Sequence, residues 1–322
     1  MRTRYPLDQS PLFRLQRRQR LAELLKFPLA AIEGLAKANP RGYRCFERIS
    51  AQPDGTRKRR LIEWPCRELQ RVQRRVAQLL DRIQPPDYIH SGFRGRSYVT
   101  NAERHDCEVR LVKIDIRKFF PNSSAQRVFD CFRYTFQCSP DVSAVLTKLT
   151  TREGHLPTGG STSCILSFFT YRQMFDEIYA LAAQRELVMT CCVDDMTFSG
   201  EAATPMFLNE VRMIAAGYGL ETHKHRCFEA SQAKVVTGVT LTAKGFRLPN
   251  RRRKKLHETY LALNAEANPI QKVKVAEQLL GRATEAAQVE EKFRATVPWA
   301  ARALNEAKRE WRASIRRVAP AR

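Results

Sequence analysis

The sequence lacks long apolar runs. None of its apolar stretches reaches about eighteen residues, the length of a membrane-spanning helix. The basic start Met1-Arg2-Thr3-Arg4 is followed by no continuous apolar core, so no secretory signal is predicted. The nine cysteines contain no Cys-x-x-Cys pair, and their odd number and scatter favour reduced thiols over a disulfide framework. We therefore expect a cytoplasmic protein.

Acidic residues are scarce relative to basic ones. The chain has 33 Asp and Glu against 56 Lys and Arg, which gives a formal charge of +23. Such an excess favours polyphosphate partners through counterion release, so nucleic acid is the predicted partner and a membrane is not. With 322 residues and neither repeats nor low-complexity segments, the chain is expected to form two or three subdomains.

Two of these few acids are adjacent. The stretch from Leu187 to Gly200 reads as two short apolar runs separated by Asp194 and Asp195, which is the pattern of a β-hairpin with acids at its turn. Adjacent carboxylates near a buried sheet repel each other and lose hydration, so such a pair normally needs a neutralising cation. A simpler interpretation is that Asp-Asp is a good turn-forming dipeptide.

A third carboxylate favours the functional interpretation. Asp115 ends the apolar run 109–114, whose β-branched residues favour a strand. If this strand lies beside the hairpin, three carboxylates converge in the way that two-metal phosphoryl transfer requires. The sequence therefore predicts a polymerase that uses magnesium.

Three further segments suit a polyphosphate ligand. A hairpin from Tyr43 to Trp64, with its turn at residues 52–55, returns as the basic strand 57–62 and would grip triphosphates or a template. In the loop 91–97, glycines allow close approach, Phe93 can stack on a base, and Arg94 and Arg96 can bind phosphate. The Gly-Ser-Thr-rich turn 154–163 leads into a helix whose start can meet a nucleotide.

Periodicity predicts the remaining elements. Amphipathic helices are expected at 9–40, with a second helix from 29 to 37, and at 67–83, 164–183 and 204–216. Another helix should follow Ser123 or Ser124, with Val128, Phe129, Phe132 and Phe136 forming core, and 234–241 should be a strand. The tail from 250 to 322 is expected to be helical, with breaks at Asn268-Pro269 and Pro298.

Together these segments resemble the reverse transcriptases of bacteria, and retron enzymes in particular. Asp115, with Phe120 five residues later, resembles the first catalytic motif of that family. The segment 156–163 falls where Leu-Pro-Gln-Gly-x-x-x-Ser is expected, and 192–195 falls where Tyr-x-Asp-Asp is expected. The resemblance covers about residues 57 to 250, and the motifs are jointly far more specific than any one alone.

Further segments narrow the resemblance to retrons. Residues 101–105 match the Asn-Ala-x-x-His sequence of retron enzymes, and 236–238 match their Val-Thr-Gly. The segment 60–69 is similar to the family's fingers. Three positions depart from the family pattern: Cys192 replaces the aromatic residue before the aspartates, Thr158 replaces a glutamine, and His223 and Arg226 fall where asparagine and then lysine are usual.

The resemblance implies an α+β right-hand polymerase. Its parts would be fingers, a palm whose antiparallel sheet carries the Asp-Asp hairpin, and a C-terminal helical thumb. We expect N-terminal helices and fingers in 1–110, the palm in 111–250 with a fingers-linked segment near 150–180, and a basic thumb in 251–322.

It also implies site residues. Asp115 and Asp194, the carbonyl group of Ile116 and the supporting acid Asp195 would hold two Mg²⁺ ions, with Mn²⁺ as the alternative ion. Phe120 would exclude a ribose 2′-hydroxyl, because a bulky ring against the sugar leaves no room for the extra oxygen. The other expected nucleotide-binding residues are Arg60, Thr158, Gly159 and Gly160. The expected nucleic-acid-binding residues are Arg94, Arg96, Asn101, His105, Arg251, Arg252, Arg253, Lys254 and Lys255.

The implied function is RNA-directed DNA synthesis. The protein would bind a cognate structured non-coding RNA, prime from a 2′-hydroxyl within it, and use deoxynucleoside triphosphates to make an RNA-linked single-stranded DNA (msDNA). An effector protein would be its partner in anti-phage defence. One alternative, another defence or group II intron-related reverse transcriptase, is disfavoured by the chain length and by the segments at Asn101 and Val236. A catalytically weak RNA-binding module is disfavoured by the three acids, and an RNA polymerase by Phe120.

Overall fold

The computed structural model describes residues 3–51 and 56–318. Contacts divide the chain into two compact units, one formed by 1–97 and 111–227 and the other by 98–110 and 228–322. Each unit has an apolar core of its own. The division into fingers, palm and thumb stays a prediction. No helix in the described ranges is both long enough and apolar enough to span a bilayer.

Helices dominate both units. Their bounds are α1 (Arg18–Leu25), α2 (Leu29–Ala38), α3 (Arg67–Leu80), α4 (Tyr98–Ala102), α5 (Phe119–Asn122), α6 (Ala125–Asp130), α7 (Pro140–Thr150), α8 (Ser163–Thr170), α9 (Arg172–Gln184), α10 (Pro205–Gly217), α11 (Asn250–Ala265), α12 (Pro269–Val289) and α13 (Thr296–Val318). Single 3₁₀ turns lie at Leu7–Gln9 and Glu291–Phe293, and a π-helical turn at Cys131–Thr135. Side-chain oxygens cap the first turns of α6, α7, α10 and α12, at Ser124, Ser139, Thr204 and Asn268.

The strands form three sheets. β1 (Tyr43–Ala51) and β2 (Arg57–Pro65) make a two-stranded antiparallel ribbon. The central sheet has the order β4 (Val188–Cys192), β5 (Asp195–Ser199), β3 (Leu111–Ile116), β6 (Thr222–Phe228). The third sheet has the order β7 (Lys234–Val236), β8 (Val239–Thr242), β9 (Gly245–Arg247). The α+β class with antiparallel sheets is thus confirmed.

The core of the first unit positions the central sheet. On β3 the side chains of Leu111, Val112, Ile114 and Ile116 are buried, while Lys113 and Asp115 are partly exposed at positions two apart and so share a face. The ring of Phe198 on β5 packs edge-on against Phe207 of α10, with centroids 4.9 Å apart. A buried strand therefore delivers Asp115 to the rim of a well-packed layer.

The second unit is built on small side chains. Among the described residues its core contains five buried alanines, and these let α12 pack closely against α11 and α13: Ala276, Ala283, Ala286, Ala300 and Ala307. Larger apolar residues fill the gaps between these helices: Leu256, Leu263 and Leu279. Helices of this kind pack by fitting side-chain ridges into grooves, so small residues bring their axes close together.

Several predicted elements need correction. The helix predicted at 164–183 is divided at Tyr171, whose backbone (φ −114°, ψ 20°) is not helical. The predicted strand 234–241 is a hairpin that turns at Thr237 and Gly238, both at positive φ.

The bounds of two predicted helices also differ from the structure. Pro298 lies in the first turn of α13, where a missing N–H costs nothing, so it does not break that helix. The first helix begins at Arg18 rather than near residue 9. The predicted turn at 52–55 lies outside the described residues.

Candidate active site

The strand register brings the three predicted aspartates together. Asp115 on β3 is the direct antiparallel partner of Asp195 on β5. Asp195 also pairs with Cys192 on β4, so the β4–β5 turn consists of Val193 and Asp194. The backbone N–H of Ile116 donates to the Asp194 carbonyl over 2.9 Å. All three carboxylates therefore emerge at one end of the central sheet.

The turn itself is strained. Val193 has φ 63°, in the left-handed region that a β-branched residue rarely occupies. Such a conformation costs roughly 1–3 kcal/mol and persists only where the surroundings hold it. Here the backbone N–H of Val193 donates to Ser91 Oγ over 2.7 Å. Residues 88–90, just before Ser91, are also hydrogen-bonded to β4. The Cys191 N–H donates to the Tyr88 carbonyl, and the His90 N–H donates to the Cys191 carbonyl.

Burial and mutual repulsion act on the acids. Burial, followed by the nearby Asp115 carboxylate, raises the pKa of Asp194 to about 6. Burial also raises the pKa of Asp195, although the Lys113 ammonium opposes this at 3.2 Å from its Oδ2 atom. The acids are thus poorly stabilised as anions by the protein alone.

Asp115 has two basic side chains as neighbours on β6, those of His223 and Lys224. His223 Nε2 lies 2.5 Å from Asp115 Oδ1, and Lys224 Nζ donates to Asp115 Oδ2 over 2.7 Å. Consecutive side chains of a regular strand point to opposite faces. Lys224 has φ 55°, and this irregularity lets both side chains reach the same carboxylate. Sequence reasoning noted His223 and Arg226 here but missed Lys224.

The donor set suits a hard divalent cation. Asp195 Oδ1 is buried and has no hydrogen-bond partner in the part of the chain that the structure describes, and the other candidate metal ligands are also oxygens. In the described ranges, no group of three or more His, Cys, Asp or Glu side chains has the arrangement of a ready-made metal site. Both oxygens of Asp115 instead face His223 and Lys224. The residues fit a cation, but Asp115 must first release these partners.

A glycine loop lies against the β1–β2 ribbon. Gly159 has φ 123°, and an added Cβ would come within 3.1 Å of the Glu63 carbonyl oxygen. At Gly160 a Cβ would come within 2.6 Å of Ser163 Oγ. Both positions therefore require glycine, as the predicted close approach to a nucleotide also does. Thr158 completes this loop, and its carbonyl accepts from Glu63 N–H over 2.8 Å.

A buried acid that sequence reasoning missed anchors this loop. Glu63 is 2% exposed and accepts from Arg152 Nη1 over 2.7 Å and from the Thr158 N–H over 3.0 Å. His155 Nε2 lies 3.1 Å from its Oε2 atom. Buried Gln73 supports the loop from α3 by accepting from the Ser161 N–H over 3.0 Å. No local motif marks either residue, because their partners are distant in sequence.

A lysine of the β1–β2 ribbon interacts electrostatically with the aspartates. Arg60 and Lys58 are two apart on β2 and share a face. Burial, with the neighbouring Arg60 and Lys224, lowers the pKa of Lys58, while Asp115 and Asp194 oppose that change. Lys58 is therefore within electrostatic range of both the carboxylates and Lys224, a position that suits a triphosphate.

Phe120 lies just beyond β3. Phe119 is buried and Phe120 is half-buried, with their rings stacked and centroids 6.2 Å apart. The ring of Phe120 therefore has a firm support on one side. Its predicted contact with the sugar stays a prediction.

The other predicted contacts divide into buried and exposed groups. Phe93 is 3% exposed and packs on Phe168 and Phe169, so the prediction that it stacks on a base is wrong. Arg94 is exposed, whereas Arg96 pairs with Asp87 at 3.3 Å. Asn101 and His105 are buried, which is at odds with direct contact to nucleic acid and favours a packing role.

The basic start of α11 is partly neutralised. Arg252 pairs with Glu285 at 2.8 Å, and Arg253 pairs with Glu290 at 3.0 Å. Arg251, Lys254 and Lys255 are exposed. Their predicted role in nucleic-acid binding stays a prediction.

Known proteins similar to this chain are named as retron reverse transcriptases. The chain is 26% identical to the retron Se72 reverse transcriptase of Salmonella heidelberg over 182 residues, 56% of this chain and 47% of that protein. It is 29% identical to the retron Ec86 reverse transcriptase of Escherichia coli over 162 residues, 50% of this chain and 49% of that protein. The retron Mx65 reverse transcriptase of Myxococcus xanthus is 28% identical over 206 residues, 56% of this chain and 48% of that protein.

These relatives confirm the resemblance that the sequence motifs indicated. The chain spans about half the length of the curated relatives it matches. No protein-family model matches it.

Proposed function

We propose that the chain is an RNA-directed DNA polymerase of the retron type. The observation that carries this proposal is the pairing of Asp115 with Asp195 across β3 and β5, with Asp194 in the adjoining turn. A fold alone does not specify a reaction, but three convergent carboxylates suit nucleotidyl transfer. The similarity to retron reverse transcriptases supports the same activity.

The elements fit a right-hand polymerase in this proposal. The N-terminal helices and the β1–β2 ribbon would be fingers, the central sheet the palm, and α11 to α13 the thumb. The loop 156–160 would be the segment that links palm and fingers, because Glu63 of the ribbon is hydrogen-bonded to Thr158. Nucleotide binding would therefore involve Thr158, Gly159 and Gly160 on one side and Arg60 on the other.

Divalent cations would be held by the three aspartates and the carbonyl of Ile116. When bound, two ions such as Mg²⁺ or Mn²⁺ would activate the attacking hydroxyl and stabilise the leaving pyrophosphate. Lys224 would turn from Asp115 toward the triphosphate and supply positive charge or a proton there. Lys58 and Arg60 would neutralise the remaining phosphate charge.

Phe120 would select the sugar. Its ring, supported by Phe119, would occupy the space of a ribose 2′-hydroxyl, so the product would be DNA. Cys192 would stand beside the primer end in place of the family's aromatic residue, and Thr158 would replace the usual glutamine near the template or incoming base.

The biological role follows from the same proposal. The protein would bind a cognate structured non-coding RNA, prime from a 2′-hydroxyl of that RNA, and copy part of it from deoxynucleoside triphosphates. The RNA-linked DNA, with an effector protein, would serve anti-phage defence. Sequencing the nucleic acid that copurifies with the protein tests this role, because DNA joined to RNA through a branched linkage is expected.

The activity is tested with Asp194→Asn. This variant should lose primer extension while keeping RNA binding, because it removes one negative charge from the carboxylate group and leaves the basic surface intact. Glu201→Gln is a matched control, since Glu201 is an exposed acid just after β5. A wild-type protein that binds RNA but extends no primer with Mg²⁺ or Mn²⁺ and deoxynucleotides would overturn the proposal in favour of a binding module.

A further inference from the structure

The second unit contains an open cleft of about 740 Å³. Tyr260 of α11, Trp299 of α13 and Phe293 contribute aromatic rings to its lining. The rings of Tyr260 and Trp299 are tilted against each other with centroids 5.3 Å apart. The volume is that of a small-molecule site, and flat aromatic walls suit a flat ligand ring.

The rim of this cleft is positively charged. Among the described residues, its lining includes Arg253, Lys254 and Lys292 and no acidic residue. Behind the rim, buried Glu290 accepts from Arg253 over 3.0 Å, and Lys292 lies 2.9 Å from it.

The Glu290 carboxylate does not neutralise all the cations paired with it. Glu290 also pairs with Arg247 at 3.3 Å, so three cations share one negative charge. Positive charge therefore remains at the rim, held in place by a buried anchor. An aromatic cleft with such a rim fits an aromatic ring joined to a phosphate.

A second cleft of about 490 Å³ adjoins the first. Its apolar lining comes from Val235, Leu248 and Pro249. Arg253 and Lys292 line both clefts. Two open clefts thus share a pair of cations, and two unpaired bases joined by one phosphodiester would place their linking phosphate at such a shared pair.

We propose that the two clefts bind two successive unpaired nucleotides of a nucleic-acid strand. One base stacks among Tyr260, Phe293 and Trp299, the linking phosphate meets Arg253 and Lys292, and the next base enters the second cleft. The identification of the strand as the RNA partner rests on the proposed function. A base-paired duplex does not fit, because its bases are stacked on each other and cannot enter.

Binding by the full-length Asp194→Asn chain tests this proposal separately from catalysis. The probe is a fluorescein-labelled adenylate decamer, alone or annealed to its complement, in about 0.2 M salt to weaken contacts to phosphate alone. Tyr260→Ala should weaken single-strand binding roughly 5- to 100-fold, the usual effect of losing one base stack. Duplex binding should be unchanged. Tyr134→Ala is the matched control, because Tyr134 is 69% exposed on the first unit.

Crosslinking provides a second readout that needs no variant. A single strand containing 4-thiouridine should crosslink to peptides that contain Tyr260, Phe293 or Trp299, as mass spectrometry would show. Crosslinks confined to the first unit, or equal single-strand affinity in Tyr260→Ala and Tyr134→Ala, would overturn the proposal. Competition by the dinucleotide pApA should exceed that by adenosine monophosphate at least tenfold, whereas equal competition would overturn the two-nucleotide form.

The outcomes separate the two proposals. Crosslinks at the cleft in a wild-type chain that extends no primer would refute the polymerase function and leave nucleotide binding supported. Primer extension without crosslinks at the cleft would support the polymerase function and refute nucleotide binding in the clefts.

Discussion

Asp115 accepts from Lys224, its neighbour on the adjacent strand, over 2.7 Å. Asp115 is also the strand partner of Asp195 across β3 and β5, so the Lys224 ammonium lies at the edge of the acidic group, in addition to the Lys113 ammonium beside Asp195. A lysine in this place can stabilise the acids in the absence of substrate, and in the proposed reaction it would act on a phosphate.

Lys224→Ala should lower the rate of nucleotide addition at saturating deoxynucleotide by roughly 100-fold or more, which is the usual loss for one general acid. Arg226→Ala is the matched control, because Arg226 lies two residues further along β6 and is exposed. Single-turnover primer extension measures both. A larger loss in Arg226→Ala would show that the family's lysine position is filled by Arg226 instead.

Phe120→Ala should increase ribonucleotide incorporation. Removing the ring opens the space of a 2′-hydroxyl, and discrimination between deoxy- and ribonucleotides should fall by roughly 10- to 200-fold. Primer extension with deoxynucleotides and with ribonucleotides measures this discrimination. Phe120→Tyr keeps the ring and should retain most of the discrimination. Unchanged discrimination in Phe120→Ala would rule out the gate.

Glu63→Gln should destabilise the loop that carries Thr158 and the two glycines. The change removes the buried carboxylate from Arg152 and leaves that cation only its exposed partner Glu153, which costs about 3 kcal/mol. Urea unfolding measures the loss, and KM for deoxynucleotide should rise because the loop is no longer held against the ribbon. The double variant Glu63→Gln, Arg152→Met should lose less unfolding free energy than the sum of the losses in the two single variants.

Glu290 predicts a dependence of stability on pH. Burial opposes its ionisation, but the Leu248 N–H and the cations of Lys292, Arg247 and Arg253 outweigh burial and lower its pKa to about 2. A carboxyl group with a lowered pKa stabilises the folded state above its unfolded pKa, and this stabilisation is lost as pH falls toward the folded value.

Replacing Glu290 with glutamine should therefore cost roughly 1–3 kcal/mol of unfolding free energy at pH 7. The difference from wild type should shrink as pH falls from about 4.5 toward 2. Glu291→Gln, at the neighbouring and exposed position, serves as the control and should have little effect. A difference that does not change with pH would contradict the ionic origin of the effect.

The sequence was most informative where chemistry and local pattern coincide. Asp115, Asp194 and Asp195 were predicted because each lies next to a short apolar run. Such runs predict neighbouring strands, and adjacent strand ends bring their acids together. Helical periodicity predicted Val128, Phe129, Phe132 and Phe136 as core; Phe129 is half-buried and the other three are fully buried.

The missed residues depend on contacts between distant segments. Glu63 meets Arg152, and Lys224 meets Asp115 only because β6 lies next to β3 in the central sheet. Phe93 was misjudged because its glycine-rich loop suggested exposure, whereas its ring fills a gap between Phe168 and Phe169. Strand order and loop packing were not contained in any local pattern.

Val193, directly before Asp194 in the turn, has a left-handed backbone, so the φ of residue 193 helps to set where the Asp194 carboxylate lies. A substitution at residue 193 can therefore change how the acids are arranged. Glycine, asparagine and valine differ in how readily they adopt positive φ, so exchanging them would alter the rigidity of the carboxylate arrangement without touching a single acid.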